Sequence, residues 1–291
     1  MSEPIMRLED YDMEPRHEAT VISSERITAL EAEAEVRELV LEVHRPEFRY
    51  RLDQCIGVLA PGSKEFGHAH HFRLYSVADL PTGDASGRPR ITICVRRCSY
   101  IDEYSGEKFD GIASNYICDL RPGDTLTITG PYGLPFEVPE EKDANLILIG
   151  SGTGIAPFRA FVKHLYRDVK DWRGQLWLFY GAKSGLEMLY MNDERDDFTQ
   201  YYDKGTFQAF KALSPRPGWE APIAWGEAIE QRSAELWKLF GAPKTYVYVA
   251  GLEKMLGELD AVFTRVAGSK EKWERRKAEL RAGKRWVELV Y

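Results

Sequence analysis

The sequence predicts a β plus α/β architecture, an antiparallel β-barrel followed by a parallel α/β domain, and three observations predict it. The chain has 291 residues with 44% hydrophobic content, enough for two modest cores. From Ala19 to about Ile128, short β-rich runs are divided by turn signals, with no long helical stretch between them. Beyond a Pro-, Gly- and charge-rich stretch, continuous apolar runs ending in Gly alternate with helical segments.

Residues 1–17 are polar, acidic and aperiodic, and read as a mobile arm. The barrel strands are ATVISSERIT, VRELVLEVH, IGVLAPG, FRLYSVAD, RITICVRRC and LTITG, with loops at PTGDASGRP and LRPGD. GPYGLPFEVPEEK is the boundary, which gives domains at 18–139 and 140–291. NLILIG then reads as a strand, followed by a glycine turn and an amphipathic helix over 158–167. QLWLFYGA and TYVYVAG repeat the apolar strand, SAELWKLF and MLGELDAVFTRVA supply helices, and EKWERRKAELRAGKR is a solvated helix before a last strand, WVELVY. Strands apolar throughout imply a parallel sheet covered on both faces.

Composition excludes several function classes. A net charge of -7 argues against a general nucleic-acid binder, which needs excess Lys and Arg facing phosphate. No window approaches the roughly eighteen apolar residues of a membrane span, so no integral membrane segment is expected. MSEPIMRLEDYDMEP has charges where a signal peptide needs an apolar run, so a cytoplasmic location is expected. Cys55, Cys94, Cys98 and Cys118 have neither zinc nor disulfide spacing and read as buried free thiols. His68, His70 and His71 would diverge on adjacent positions, so no metal site is expected.

Two segments have the residue types of a ligand site. Gly150, Ser151, Gly152, Thr153 and Gly154 follow a strand and open a helix, where small residues let backbone N–H groups approach an anion. Thr153 adds a hydroxyl, and Pro157 suits the first helical turn. The turn is not G-x-G-x-x-G, and by itself it leaves a ligand loop and tight strand–helix packing both open. In the run RLYS, alternation puts Arg73 and Tyr75 on one face and Leu74 and Ser76 on the other. A cation beside a ring suits a pyrophosphate and a stacked ring system; a plain solvent-facing pair is the other reading.

RLYS, ITICVRR, GIASNYICDL, GPYG, IGSGTGIAPFRAF, LFYGAKS, YVYVAGLEKM and a terminal aromatic occur in this order, and together they resemble the plant-type ferredoxin-NADP(+) reductases, which are FAD-dependent. The resemblance runs from about residue 19 to the C-terminus. It implies an antiparallel FAD-binding barrel, then a Rossmann-like nucleotide domain. Arg73 would hold the FAD pyrophosphate, Tyr75 stack on the isoalloxazine, and Ser76 hydrogen-bond near its N5. Cys94, Val95 and Arg96 match the family's C-V-K strand, with Arg96 in place of the lysine. Tyr100 would stack on the adenine, and Gly111, Ile112, Ala113 and Ser114 would bind flavin phosphates. Gly152, Thr153, Gly154 and Pro157, with Gly251 and Leu252 of YVYVAGLEKM, would bind the nicotinamide nucleotide. Tyr291 would cover the flavin's other face and move aside for nicotinamide.

The implied activity is hydride exchange between nicotinamide and flavin N5, and single-electron exchange with ferredoxin or a similar iron-sulfur electron carrier. Ser76, Tyr291 and Glu288 are the catalytic candidates. The chain departs from the family in three places. Ala250 stands where a cysteine is usual. Glu288 lies one place early, which in a strand turns it to the opposite face unless a bulge restores it. Ser214 and Arg216 are the only counterparts of the 2'-phosphate readers, with Trp225 a candidate adenine stacker, so NADP(H) is favoured over NAD(H) on one arginine. Lys64, Arg88, Arg90 and Lys284 are candidates for a basic docking rim. The alternatives are a reductase component of an oxygenase or other multicomponent system, and a catalytically weak flavin-binding subunit.

Overall fold

A computed structural model describes residues 7–62, 70–217 and 221–291. The chain divides into two compact units. The first takes the described residues up to Ile27 and Glu33–Leu134; the second takes Thr28–Ala32 and Pro135–Tyr291.

The first unit contains β1 (Arg16–Arg26), β2 (Val36–Val43), β3 (Gln54–Pro61), β4 (His70–Ser76), β5 (Thr82–Gly83), β6 (Pro89–Arg96), β7 (Ser99–Ile101), β8 (Lys108–Asp110), α1 (Ile112–Asp119) and β9 (Thr125–Gly133). Seven strands form one antiparallel sheet in the order β4-β3-β9-β1-β2-β6-β5. It curls like a barrel without closing: among the described residues past β4, one isolated bridge joins Val77 to Ile93. Alternate residues point inward, so Leu39, Leu41, Val43, Ile56, Val58, Ile91, Ile93, Val95 and Ile128 make the core. Helix α1 adds Ile117 and Cys118 to it. The sequence reading missed α1 and the separate β7–β8 hairpin, and β9 runs into the segment taken as a boundary.

The second unit contains β10 (Asn145–Ser151), α2 (Ile155–His164), β11 (Leu176–Ala182), β12 (Phe207–Leu213), α3 (Trp225–Glu230), α4 (Ser233–Gly241), β13 (Thr245–Gly251), α5 (Lys254–Ala267), α6 (Lys270–Ala282) and β14 (Trp286–Val290). All five strands are parallel, in the order β12-β11-β10-β13-β14. On one face Ile147, Ile149, Trp177, Phe179, Val247 and Val249 pack with Trp225, Phe240, Phe263 and Trp273 of the helices α3 to α6. The other face carries α2, whose Phe158 and Phe161 meet Phe136 and Tyr248. Covering on both sides explains why β11 is buried at every position. Strand β12 was missed because Gln208 and Lys211 interrupt its apolar run; it lies at the sheet edge, where Lys211 is exposed.

Candidate functional site

In the first unit the candidates cluster around β4, the end of β6 and the start of α1. Arg73 is exposed and donates from Nη1 to the Phe72 carbonyl at 2.7 Å; among the described residues it makes no ion pair. Tyr75 is half-buried against the core, and burial pushes its hydroxyl up from the usual tyrosine range. Ser76 ends β4 opposite Cys55. Cys94 and Val95 are buried, whereas Arg96 is exposed.

Gly111 caps α1, and the cap is tied to the end of β6. The Gly111 N–H donates to the Cys98 carbonyl at 2.9 Å, and the Asn115 amide donates to the carbonyls of Cys98 at 2.8 Å and Gly111 at 2.9 Å. A side chain at Gly111 would sit 2.9 Å from Ser114 Oγ. The N–H groups of Ile112 and Ala113 have no acceptor within the helix, which leaves a patch of donors and positive potential. Ser114 Oγ accepts the Cys98 N–H at 3.1 Å and donates to the Gly111 carbonyl at 3.2 Å. Tyr100 stacks on Phe109 at 5.5 Å and keeps its other face exposed.

Arg97 holds this corner together. Its guanidinium donates to Glu35 at 2.9 Å, Asn115 at 3.0 Å and Asp119 at 2.8 Å. Burial alone would push the Glu35 carboxyl up, but hydrogen bonds from Arg97 and Arg37 outweigh it and hold the pKa below the ordinary value. A depressed folded pKa stabilises the fold above the unfolded pKa, and that stability is lost as pH falls through the folded one. We therefore expect Glu35→Gln to flatten the fall in stability below about pH 4.5, measured as urea midpoints across a pH series.

In the second unit the candidates lie at the carboxyl ends of β10 and β13, where the strand order reverses and open α/β sheets bind ligands. The two loops touch through glycines. A Cβ at Gly154 would lie 2.3 Å from the Ala250 carbonyl oxygen, and one at Gly251, whose φ is 144°, would lie 2.3 Å from Ser151 Oγ. Gly152 has φ 52° and open space where a Cβ would project, so its backbone faces out. The Gly152 carbonyl accepts the Tyr180 hydroxyl at 3.0 Å, and Pro157 lies in the first turn of α2. Thr153 Oγ1 and the Tyr291 hydroxyl are 2.7 Å apart, and the Tyr291 N–H donates to the Gly251 carbonyl at 3.1 Å. Leu252 is exposed just past β13.

Several expectations change. The β13–β14 register is unbroken from Val247 opposite Trp286 to Gly251 opposite Val290, so no bulge restores Glu288. It shares a face with Trp286, and its carboxylate is held by Arg281 and the Trp286 indole, which does not fit a catalytic carboxylate. Trp225 is buried beside Gly181 and is not an adenine stacker. Ser214 is buried, its hydroxyl donating to the Ala221 carbonyl at 3.0 Å and accepting the Arg216 N–H at 3.3 Å; the Arg216 side chain is exposed. Arg88 and Arg90 both pair with Glu42, which offsets part of their charge at a basic rim. Lys284 is exposed in the α6–β14 turn, and Lys64 and His68 lie outside the described residues. Cys55, Cys94 and Cys118 are buried, but Cys98 is exposed. His70 lies 3.2 Å from Arg16. Among the described residues no three or more His, Cys, Asp or Glu side chains are grouped to hold a metal, and no helix is long and apolar enough to cross a membrane.

Residues 148–260 match the oxidoreductase NAD-binding domain family. A ferredoxin-NADP reductase of Spirulina sp is 30% identical over 277 residues, covering 93% of each chain. The chloroplastic leaf isozyme 1 of Oryza sativa subsp. indica, also a ferredoxin-NADP reductase, is 34% identical, covering 91% of this chain and 74% of that one. The chain belongs to the ferredoxin-NADP reductase family. It spans 63% of the length of the Synechocystis ferredoxin-NADP reductase, to which it is 32% identical over 262 residues. The fold of this family is seen again in the ferredoxin-NADP+ reductase of Plasmodium falciparum, solved with 2'P-AMP, at a TM-score of 0.71 and 20% identity over 97% of this chain and 98% of that one. The two-unit reading, antiparallel sheet then parallel α/β sheet, is that of the ferredoxin-NADP reductase fold.

Sequence reasoning missed Glu35, Tyr180 and Arg281. Tyr180 had a signal, a hydroxyl-bearing ring at the end of an apolar strand beside the glycine turn. Glu35 and Arg281 had none, because their partners are fixed only by the fold.

Proposed function

We propose that this ferredoxin-NADP reductase family member binds FAD on its first unit and NADP(H) in preference to NAD(H) on its second, and exchanges electrons with ferredoxin or a similar iron-sulfur carrier in the cytoplasm. The reading is supported above all by the glycine-lined crevice at the ends of β10 and β13, in a chain 30% identical to a named reductase across 93% of both lengths.

The residues present fit a flavin dinucleotide. Arg73 brings a cation with no ion-pair partner among the described residues, and the start of α1 brings backbone donors for phosphate. Tyr75 brings a ring for the isoalloxazine and Tyr100 an exposed face for the adenine. When bound, the flavin supplies the conversion between two-electron hydride chemistry and one-electron transfer. Ser76 would offer a hydroxyl to the flavin ring, and Arg96, exposed next to buried Cys94 and Val95, would offer a cation to a phosphate. Gly152, Thr153, Gly154 and Pro157 orient the nucleotide at the start of α2, with Gly251 and Leu252 beside them. Tyr291 must leave Thr153 for nicotinamide to bind.

Steady-state reduction of a ferredoxin by NADPH and by NADH tests this. We expect turnover with both electron acceptors, ferredoxin and ferricyanide, and a larger kcat/KM for NADPH; NADH preference would refute the Arg216 assignment. A catalytically weak flavin subunit is the second reading, favoured by the turn of Glu288 toward α6. Sustained NADPH–ferricyanide turnover rules it out.

A further inference from the structure

Glu288 occupies the middle of β14, an edge strand whose sheet neighbour among the described residues is β13. Edge strands open first, because half of their backbone groups lack a ladder partner. This edge is fastened from the helix side. Arg281 Nη2 of α6 lies 2.8 and 2.7 Å from the two Glu288 oxygens, Lys277 Nζ lies 3.3 Å from Oε1, and the Trp286 indole N–H donates to Oε1 at 2.6 Å. Lys277 also reaches Asp260 of α5 at 2.8 Å, and Asp260 accepts the Trp273 indole at 2.8 Å. Two carboxylates, Glu288 and Asp260, bridged by Lys277, therefore tie α5, α6 and β14 together, and the Glu288 side chain is only 18% exposed. Charge-assisted bonds in so shielded a place are stronger than surface pairs.

Three residues further on is Tyr291, a residue 61% exposed, whose hydroxyl meets Thr153. Its backbone is held by Gly251, and its carbonyl accepts the Glu253 N–H at 3.3 Å. The position of this ring thus depends on how firmly β14 stays on β13. We propose that Glu288 is a positioning residue, clamped by Arg281 and Lys277 so that β14 presents the Tyr291 ring at Thr153 and sets the cost of displacing it. The proposal rests on the reading in which Tyr291 must move for nicotinamide to bind. A looser clamp raises the fraction of chains with the ring displaced, and apparent nucleotide affinity rises with that fraction.

Glu288→Gln keeps shape and the indole acceptor but loses the charge; Arg281→Gln removes the opposite partner from an exposed helix position. In either full-length variant we expect amide hydrogen exchange across Val287–Tyr291 to quicken about five- to tenfold. KM for NADPH should fall about three- to tenfold while kcat with ferricyanide stays within about twofold. The double variant should add little to either single one, as partners in one contact do. Unchanged exchange in both single variants overturns the clamp, and faster exchange with an unchanged KM overturns its link to Tyr291. Failure of the underlying reading shows separately, as wild-type protein with no NADPH turnover, and removes the gating role with it.

Discussion

Gly154→Ala is expected to raise KM for NADPH on the order of tenfold or more and to destabilise the second unit, while the FAD content of the protein stays unchanged. Gly154 is in helical backbone, with φ -60°, so propensity alone would favour alanine by about 1 kcal/mol. Sterics decide otherwise. The new methyl would meet the Ala250 carbonyl oxygen at 2.3 Å and the Gly251 nitrogen at 2.8 Å, and both are backbone atoms that cannot swing away. Overpacking of this kind costs about 1–3 kcal/mol, which exceeds the propensity gain. Relief must come from parting the β10 and β13 loops, and those loops form the crevice. Gly152→Ala is the control: its Cβ meets nothing within 4 Å, so its cost is the strain of φ 52°, about 1–2 kcal/mol, without displacement of β13. A Gly154→Ala protein with wild-type KM would mean that the crevice does not hold the nucleotide.

Asp197→Ala should cost about 3–5 kcal/mol of stability, because it strips a counter-charge from a buried cation. Arg159 of α2 is completely buried, with Nε and Nη2 both 2.5 Å from Asp197 Oδ2, and its guanidinium lies over the Tyr190 ring at 4.3 Å from the centroid. The loop between β11 and β12 depends on this pair, since Asp197 also accepts from Arg195 at 3.2 Å and Tyr190 adopts a left-handed φ of 60°. Coulomb gain and desolvation nearly cancel for a buried pair, so the pair adds little beyond an apolar one. Removing one partner is different, because the remaining charge keeps its desolvation cost. The double variant Arg159→Met with Asp197→Leu should therefore recover most of the loss in urea unfolding followed by tryptophan fluorescence. A single Asp197→Ala variant within about 0.5 kcal/mol of wild type, the range of ordinary surface changes, would contradict this account.

The fold was legible where burial imposes a period. NLILIG, LWLFYGA and TYVYVAG read as parallel strands because helices cover both faces, and nothing polar interrupts them. FQAFKAL escaped notice because an edge strand admits Gln208 and Lys211. The α1 helix escaped because GIASNYICDL is short, although Ala113 and Ile117 lie at helical spacing and both are buried. At the candidate site, the glycine turn and the Arg73–Tyr75 alternation were visible, since each depends on neighbours in sequence. The contact between Thr153 and Tyr291 was not, because 138 residues separate them. For Glu288 the one-place displacement was visible and its direction followed from strand alternation. Its partners Arg281 and Lys277 were hidden, because only the packing of α6 on β14 brings them to it.

This chain is expected to hold FAD and to pass electrons to it from NADPH. Anaerobic titration of the purified protein with NADPH, followed by its visible absorbance, decides whether it does. The predicted result is a yellow protein whose flavin absorbance bleaches in proportion to added NADPH and returns on addition of oxidised ferredoxin. Protein that carries no flavin, or whose flavin is untouched by NADPH, would contradict it.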